Sequence, residues 1–185
     1  MKRSNLNILI VVFLIIIGAT ARIVNAQLHV PNVAPMVALS LFSGAIIKDK
    51  RGLAFLVPFL GQFIADAYFQ LFTSTPGFYS WVGMPFNYAG LLCAALIGMY
   101  MKMKPVNVLA YTIGASSAFF LISNFGYFME GWNGYSFAGL SKTFIDAVPF
   151  FKNTLLGDMM GSLLVFGGYF LVQMGLEKKA QKVKA

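Results

Sequence analysis

The chain has 185 residues, of which 58% are hydrophobic and 11% are charged. A soluble domain contains about 45–50% apolar and about 25% charged residues, so this composition excludes an ordinary water-soluble globule. The 19 Phe, 8 Tyr and 2 Trp exclude disorder, because disordered chains have few aromatic residues. One cysteine excludes an intrachain disulfide or a Cys-based zinc site, and one histidine excludes a two-His haem site within a single copy. We therefore expect a polytopic membrane protein with no cofactor and no metal.

Apolar stretches predict the membrane spans in chain order. A helix needs about 20 mainly apolar residues to cross the roughly 30 Å hydrocarbon layer. The second stretch has only 13 residues, and at about 1.5 Å per residue it is too short to cross alone. The segment before it, His29 to Pro35, contains two prolines and predicts an irregular loop that dips into the protein. The fold class is thus an all-α bundle forming one membrane domain over residues 1–185. Its six spans are predicted at residues 6–24, 35–47, 53–72, 86–101, 106–128 and 154–176.

The first span has a second interpretation. Basic residues, an apolar run and small residues near Ala19 to Ala21 or Val24 to Ala26 are also typical of a cleaved signal peptide. Cleavage there would leave five spans.

The basic residues predict the orientation. Of the 14 Lys and Arg residues, alternate segments between the spans hold eleven and three, with only Arg22, Lys142 and Lys152 in the poorer set. Because basic residues accumulate on the cytoplasmic side, both termini are predicted to be cytoplasmic. The positive charge then reflects topology and contact with the lipid bilayer, so we expect no nucleic-acid partner.

The longest segment outside the spans, residues 129–153, is predicted to be an outer capping loop. It is rich in aromatic residues and should contain a short interfacial helix over Leu140 to Val148. Three of the predicted spans begin on the outer side, and Pro35, Pro85 and Pro149 lie at or just before their first residues, as is usual for helix starts.

Polar residues inside the spans predict a site near the outer face. Ionisable residues within spans are costly and usually face the interior or a cavity. Here the ionisable residues Arg22, Asp66 and Asp158 lie on separate helices at one depth. Stripes of polar residues, such as Gln62, Asp66 and Gln70, lie along the same helices. We therefore predict an outer pocket for a small-molecule ligand, covered by the loop from His29 to Pro35 and by Trp132 to Tyr135. Its lining residues are predicted to be Arg22, Asn32, Asp66, Asn124 and Asp158.

A purely structural role is the alternative for the same residues. Arg22 could pair with Asp66 or with Asp158 to hold helices together, while Ser, Thr and Asn form interhelical hydrogen bonds. Small-residue ridges, such as Gly90, Ala94 and Gly98, let helices approach closely, either for internal packing or for docking to a partner membrane protein.

Several runs of residues carry a resemblance to a known family. They are Arg22, Pro31–Pro35 (PNVAP), Ala38–Ala45 (ALSLFSGA), Pro58, Asp66, Ser123–Phe125, Gly139–Leu140 and Pro149–Asp158 (PFFKNTLLGD). These runs resemble an uncharacterised family of small bacterial inner-membrane transport proteins, and the similarity covers nearly the whole chain. That family in turn resembles the substrate-binding (S) components of energy-coupling factor (ECF) vitamin transporters. The resemblance implies six helices, cytoplasmic termini, an outer ligand pocket and a membrane coupling subunit with ATPases as partner.

Three functions compete at this point. The first is substrate binding for uptake of a small metabolite, such as a vitamin or cofactor precursor, in the bacterial inner membrane. The absence of a Gly-x4-Gly-Lys-Ser/Thr motif indicates that the chain has no ATPase of that type. The second is an inner-membrane scaffold or assembly protein without a small-molecule ligand. The third is an intramembrane enzyme that uses Asp66 and Asp158 as an acid/base pair; we expect no enzyme and name no catalytic residue.

Overall fold

The computed structural model describes residues 3–29, 32–47, 50–74, 76–78 and 80–184. Over these residues the chain forms six α-helices and no β-strand, which confirms the all-α fold class. Val30 and Pro31 of the predicted irregular loop lie outside the described residues. The helices are α1 (Arg3–Gln27), α2 (Met36–Ile46), α3 (Arg51–Phe72), α4 (Met84–Tyr100), α5 (Pro105–Met129) and α6 (Phe137–Lys184).

Four of these helices, α1, α3, α5 and α6, are long and apolar enough to cross a membrane. The chain is therefore a helical membrane protein. The other two helices are also apolar but shorter, since α2 has 11 residues and α4 has 17. At about 1.5 Å per residue, α2 is roughly 16 Å long, about half the thickness of the hydrocarbon layer.

The short helix α2 lies at the centre of the bundle. It packs against all five other helices, and ten of its 11 residues are buried. Phe42 of α2 makes an edge-to-face contact with Phe166 of α6, with ring centroids 5.0 Å apart. A helix that is apolar on every side lies in a protein core or in a membrane, and here the neighbouring helices bury it.

The backbones of α2 and α4 approach each other closely because both helices carry glycine where they meet. A Cβ atom on Gly44 would lie 1.9 Å from the carbonyl oxygen of Ala95, and one on Gly98 would lie 2.1 Å from that of Leu41. Real atoms do not approach so closely, so only glycine fits at these two positions. This ridge of small residues serves internal packing, as one of the two interpretations of the sequence predicted.

The last helix differs from the prediction. The helix α6 begins at Phe137 and continues through Pro149 for 48 residues. The predicted capping loop 129–153 is therefore reduced to the turn between Met129 and Phe137, and residues 140–148 are part of α6. Pro149 lies inside a helix and does not mark its start. Ser136 supplies the actual start signal, because its Oγ accepts a hydrogen bond from the N–H of Gly139 at 3.1 Å.

Candidate functional site

One end of the bundle contains a partly open cavity of about 520 Å³. This is the end at which α1, α3 and α5 finish and α2, α4 and α6 begin. Its polar lining includes Arg22, Asn32, Gln62, Asn87, Asn124, Asn133 and Thr143. Its aromatic lining includes Phe119, Phe120, Tyr127, Phe150 and Phe151. A cavity of about 300–1,000 Å³ with aromatic walls and several convergent polar groups is typical of a small-molecule site.

A second cavity, of about 460 Å³, adjoins the first. The two cavities share five lining residues, among them Arg22, Gln62 and Phe119. The second extends between the end of α1 and the start of α2, where His29 and Asn32 line it. Both residues have positive φ angles, 55° and 60°, and Asn and His are among the residues that adopt this left-handed conformation most readily.

A cluster of hydrogen bonds around Asp66 lies between the cavities and the interior. Nη2 of Arg22 donates to Oδ1 of Asp66 at 2.8 Å, which joins α1 to α3. Nε2 of Gln62 and the hydroxyl of Tyr88 donate to Oδ2 of the same carboxylate at 3.0 Å and 2.9 Å. The Asp66 side chain is 1% exposed, whereas that of Arg22 is 32% exposed. The carboxylate is thus enclosed by donors, and the side chains of Arg22 and Gln62 are the parts of the cluster that line the cavity.

Asp158 belongs to a different set of contacts. It is buried on α6, where Oδ1 accepts a hydrogen bond from the N–H of Ala38 at 3.2 Å and Oδ2 accepts one from the hydroxyl of Ser116 at 2.8 Å. The N–H of Ala38 is in the first turn of α2, where Pro35 provides no side-chain cap. A carboxylate at the positive end of a helix is favourable, so Asp158 acts as the missing cap and ties α6 to α2 and α5.

The structure thus divides the five predicted site residues. Arg22, Asn32 and Asn124 line the larger cavity. Asp66 lies behind Arg22 and Gln62, which line the cavity, and is not itself part of the lining. Asp158 is 0% exposed and does not belong to the lining of either cavity. Of the two pairings left open for Arg22, the one with Asp66 is present and the one with Asp158 is not.

The residues that cover the cavity also differ in part from the prediction. The segment Trp132 to Tyr135 was expected to do so, and it contributes Asn133 to the lining, whereas Trp132 and Tyr135 themselves are more than 70% exposed and do not line the cavity. Glu130 of the same turn and the first part of α6 also line it. Asn133 is fixed there because its Nδ2 donates to the hydroxyl of Thr143 at 2.9 Å.

Glu130 is one of the cavity residues that sequence reasoning missed. It follows directly after α5, and its Oε2 accepts a hydrogen bond from the indole N–H of Trp132 at 2.7 Å. Its Oε1 is buried without a hydrogen-bond partner among the described residues, as is Nε of Arg22. A buried polar atom without a partner is uncommon and calls for a ligand or water. The sequence feature that could have identified Glu130 is an acidic residue at the outer end of a predicted span, close to Trp132.

Comparison with known proteins gives one match. The model of a family of unknown function, DUF6580, matches residues 2–181. No curated protein and no solved structure matches the chain.

Proposed function

Because the chain belongs to DUF6580, a family of unknown function, its role rests on its own site, and we propose that it is a substrate-binding membrane component. It would capture a small metabolite, such as a vitamin or cofactor precursor, for uptake across the bacterial inner membrane. The observation that supports this most is the cavity of about 520 Å³, to which five of the six helices and the turn after α5 contribute side chains.

In this proposal the six helices form six spans, with both termini in the cytoplasm. Eleven of the 14 basic residues then lie on the cytoplasmic side, and the cavity opens on the opposite side. The shortness of α2 is compatible with this arrangement because protein surrounds it almost completely. Irregular chain at membrane depth, such as that before α2, is tolerated where it is buried in protein or lines a cavity.

Energy for uptake would come from other subunits, since the sequence contains no phosphate-binding loop. A membrane coupling subunit with its ATPases, as in ECF transporters, is the partner that the resemblance implies. Binding at an outer pocket followed by coupling to such a subunit would make the present chain the specificity component.

The direct test is to look for a ligand. The protein is purified in detergent, and native mass spectrometry is used to detect a copurified small molecule. A panel of vitamins and cofactor precursors is then screened by thermal unfolding. A ligand at 100 times its dissociation constant stabilises the folded state by about 2.7 kcal/mol, which raises the melting temperature measurably.

Two matched variants locate the site. Asn124→Ala removes an amide from the cavity wall, and we expect it to weaken binding severalfold, since one hydrogen bond is worth about 0.5–1.5 kcal/mol. Asn107→Ala is the control, because Asn107 is a half-buried asparagine near the other end of α5 that lines neither cavity. Equal affinity of both variants for a screening hit would place the binding site elsewhere.

A scaffold without a ligand is the second candidate. One observation favours it: Asp66 and Asp158, the two buried acids, are already hydrogen-bonded within the bundle. A protein that copurifies with no small molecule and gains no stability from the panel would support this role.

A further inference from the structure

Three ionisable side chains line the larger cavity, and their pairing determines its charge. Arg22 is paired with Asp66, and Asp146 is paired with Lys142. Glu130, the third, has no counter-ion among the described residues. The surroundings are also acidic. The predicted outer side carries four of the 6 acidic residues in the chain, but only three of its 14 basic residues.

The helix ends near Glu130 do not neutralise it. Glu130 follows the last residue of α5, where the partial charge of the helix end is negative. Its Oε1 also lies over Gly83 at the start of α4, where a Cβ atom would be only 2.0 Å away and where the helix end is positive. These two contributions oppose each other, so the helix ends together do not replace a counter-ion for Glu130.

Aromatic rings form part of the same cavity wall. Tyr127, Phe120 and Phe151 line it, and the rings of Phe120 and Phe151 lie 4.6 Å apart between centroids. Aromatic faces attract organic cations as well as apolar groups. The cavity therefore combines an unpaired carboxylate oxygen with an aromatic wall and several amide groups.

From this combination, and resting on the proposed function, we propose that the ligand is a small organic cation whose protonated nitrogen pairs with Glu130. Oε1 of Glu130 would accept a hydrogen bond from that nitrogen, while Trp132 holds Oε2 in place. The cyclic or aromatic body of the ligand would lie against Phe120 and Phe151. Nε of Arg22, the other buried unpartnered atom, would donate to a polar substituent of that body.

The test uses three probes of similar size and different charge: 2-phenylethylamine, 2-phenylethanol and 3-phenylpropionate. Their binding to the purified full-length protein is measured in detergent by ligand-observed NMR at millimolar concentration and low ionic strength. We expect the amine to bind about tenfold more tightly than the alcohol, and the carboxylate to bind most weakly. Added salt should reduce the preference for the amine, because a partly open site is screened.

A pair of variants distinguishes the effect of the charge of Glu130 from an effect of the substitution on the structure of the cavity. Glu130→Gln should abolish the preference for the amine while leaving the affinity for the alcohol unchanged, which also shows that the cavity is intact. Glu177→Gln removes an exposed glutamate near the other end of α6 and should leave all three affinities unchanged. A carboxylate probe that binds as well as the amine, a preference that survives Glu130→Gln, or no binding of the amine would each overturn this proposal. If the amine fails but a neutral or anionic vitamin binds, the proposed function stands and only the charge assignment is wrong.

Discussion

Arg22 connects the interior of the bundle to the cavity. Its guanidinium pairs with the buried Asp66, lies 5.9 Å from the ring centroid of Phe69, and still lines both cavities. A paired guanidinium retains further N–H donors, since Arg has five of them. The structural role and the binding role of Arg22 are therefore compatible in one side chain.

The pairing predicts a non-additive double-mutant cycle. Arg22→Ala leaves the carboxylate of Asp66 buried without its cation. We expect a loss of about 3 kcal/mol, the lower end of the range for breaking a buried pair, because Gln62 and Tyr88 still donate to it. Asp66→Asn in the Arg22→Ala background should restore part of this loss, measured as the free energy of unfolding in detergent. Strict additivity of the two substitutions would show that the pair contributes no coupling energy.

For single residues, the sequence identifies which side chains are costly to bury, but it does not predict which groups they contact. Arg22, Asp66 and Asp158 were identified because hydrocarbon does not tolerate them unpaired. Their division into a cavity cluster and a helix cap depends on helix rotation and on the loop before α2, which hydropathy does not specify. Asn32 and Asn124 both line the larger cavity, whereas Glu130 was overlooked because it lies just outside a span.

At the scale of helices, hydropathy predicted the number of segments, and local chemistry decided their ends. The proline at position 149 suggested a helix start because proline usually disrupts a helix interior. In membrane proteins, neighbouring helices and polar side chains can satisfy the backbone groups that proline frees, so a helix can pass through it. Ser136, three residues before Gly139, was the better indicator of the start of α6.

The α2–α4 crossing predicts opposite effects for two glycine substitutions. Gly98→Ala places a methyl group 2.1 Å from the carbonyl oxygen of Leu41 and should destabilise the protein by about 1–3 kcal/mol through overpacking. Gly114→Ala is the matched control, since nothing lies within 4 Å of its added Cβ. The control should be neutral or up to about 1 kcal/mol more stable, because alanine favours a helix. Thermal unfolding in detergent measures both; equal melting temperatures would contradict the tight crossing.

At the scale of the whole molecule, the two ends of the bundle differ in charge and in shape. The end that contains the cavity carries few basic residues, whereas the opposite end carries most of them and the C-terminal part of α6. The positive-inside tendency therefore predicts that the end containing the cavity faces outward.

Reporter fusions test this orientation. Fusions after Lys50, Lys104 and Lys184 should report a cytoplasmic position, because these sites lie at the basic end. Fusions after Ser80 and Asn133 should report an external position, because both sites lie at the end that contains the cavity. An external signal after Lys104 would contradict the proposed six spans and would place the cavity on the cytoplasmic side.

The central position of α2 has a consequence for how the protein is assembled during synthesis. A segment of 11 residues is too short to be retained in the bilayer as an independent span. Its first-turn amide at Ala38 is bound by a side chain 120 residues later in the chain. The middle of the bundle is therefore completed only after Asp158 of α6 has been made, so the nascent protein has to hold α2 in an unfinished environment until then.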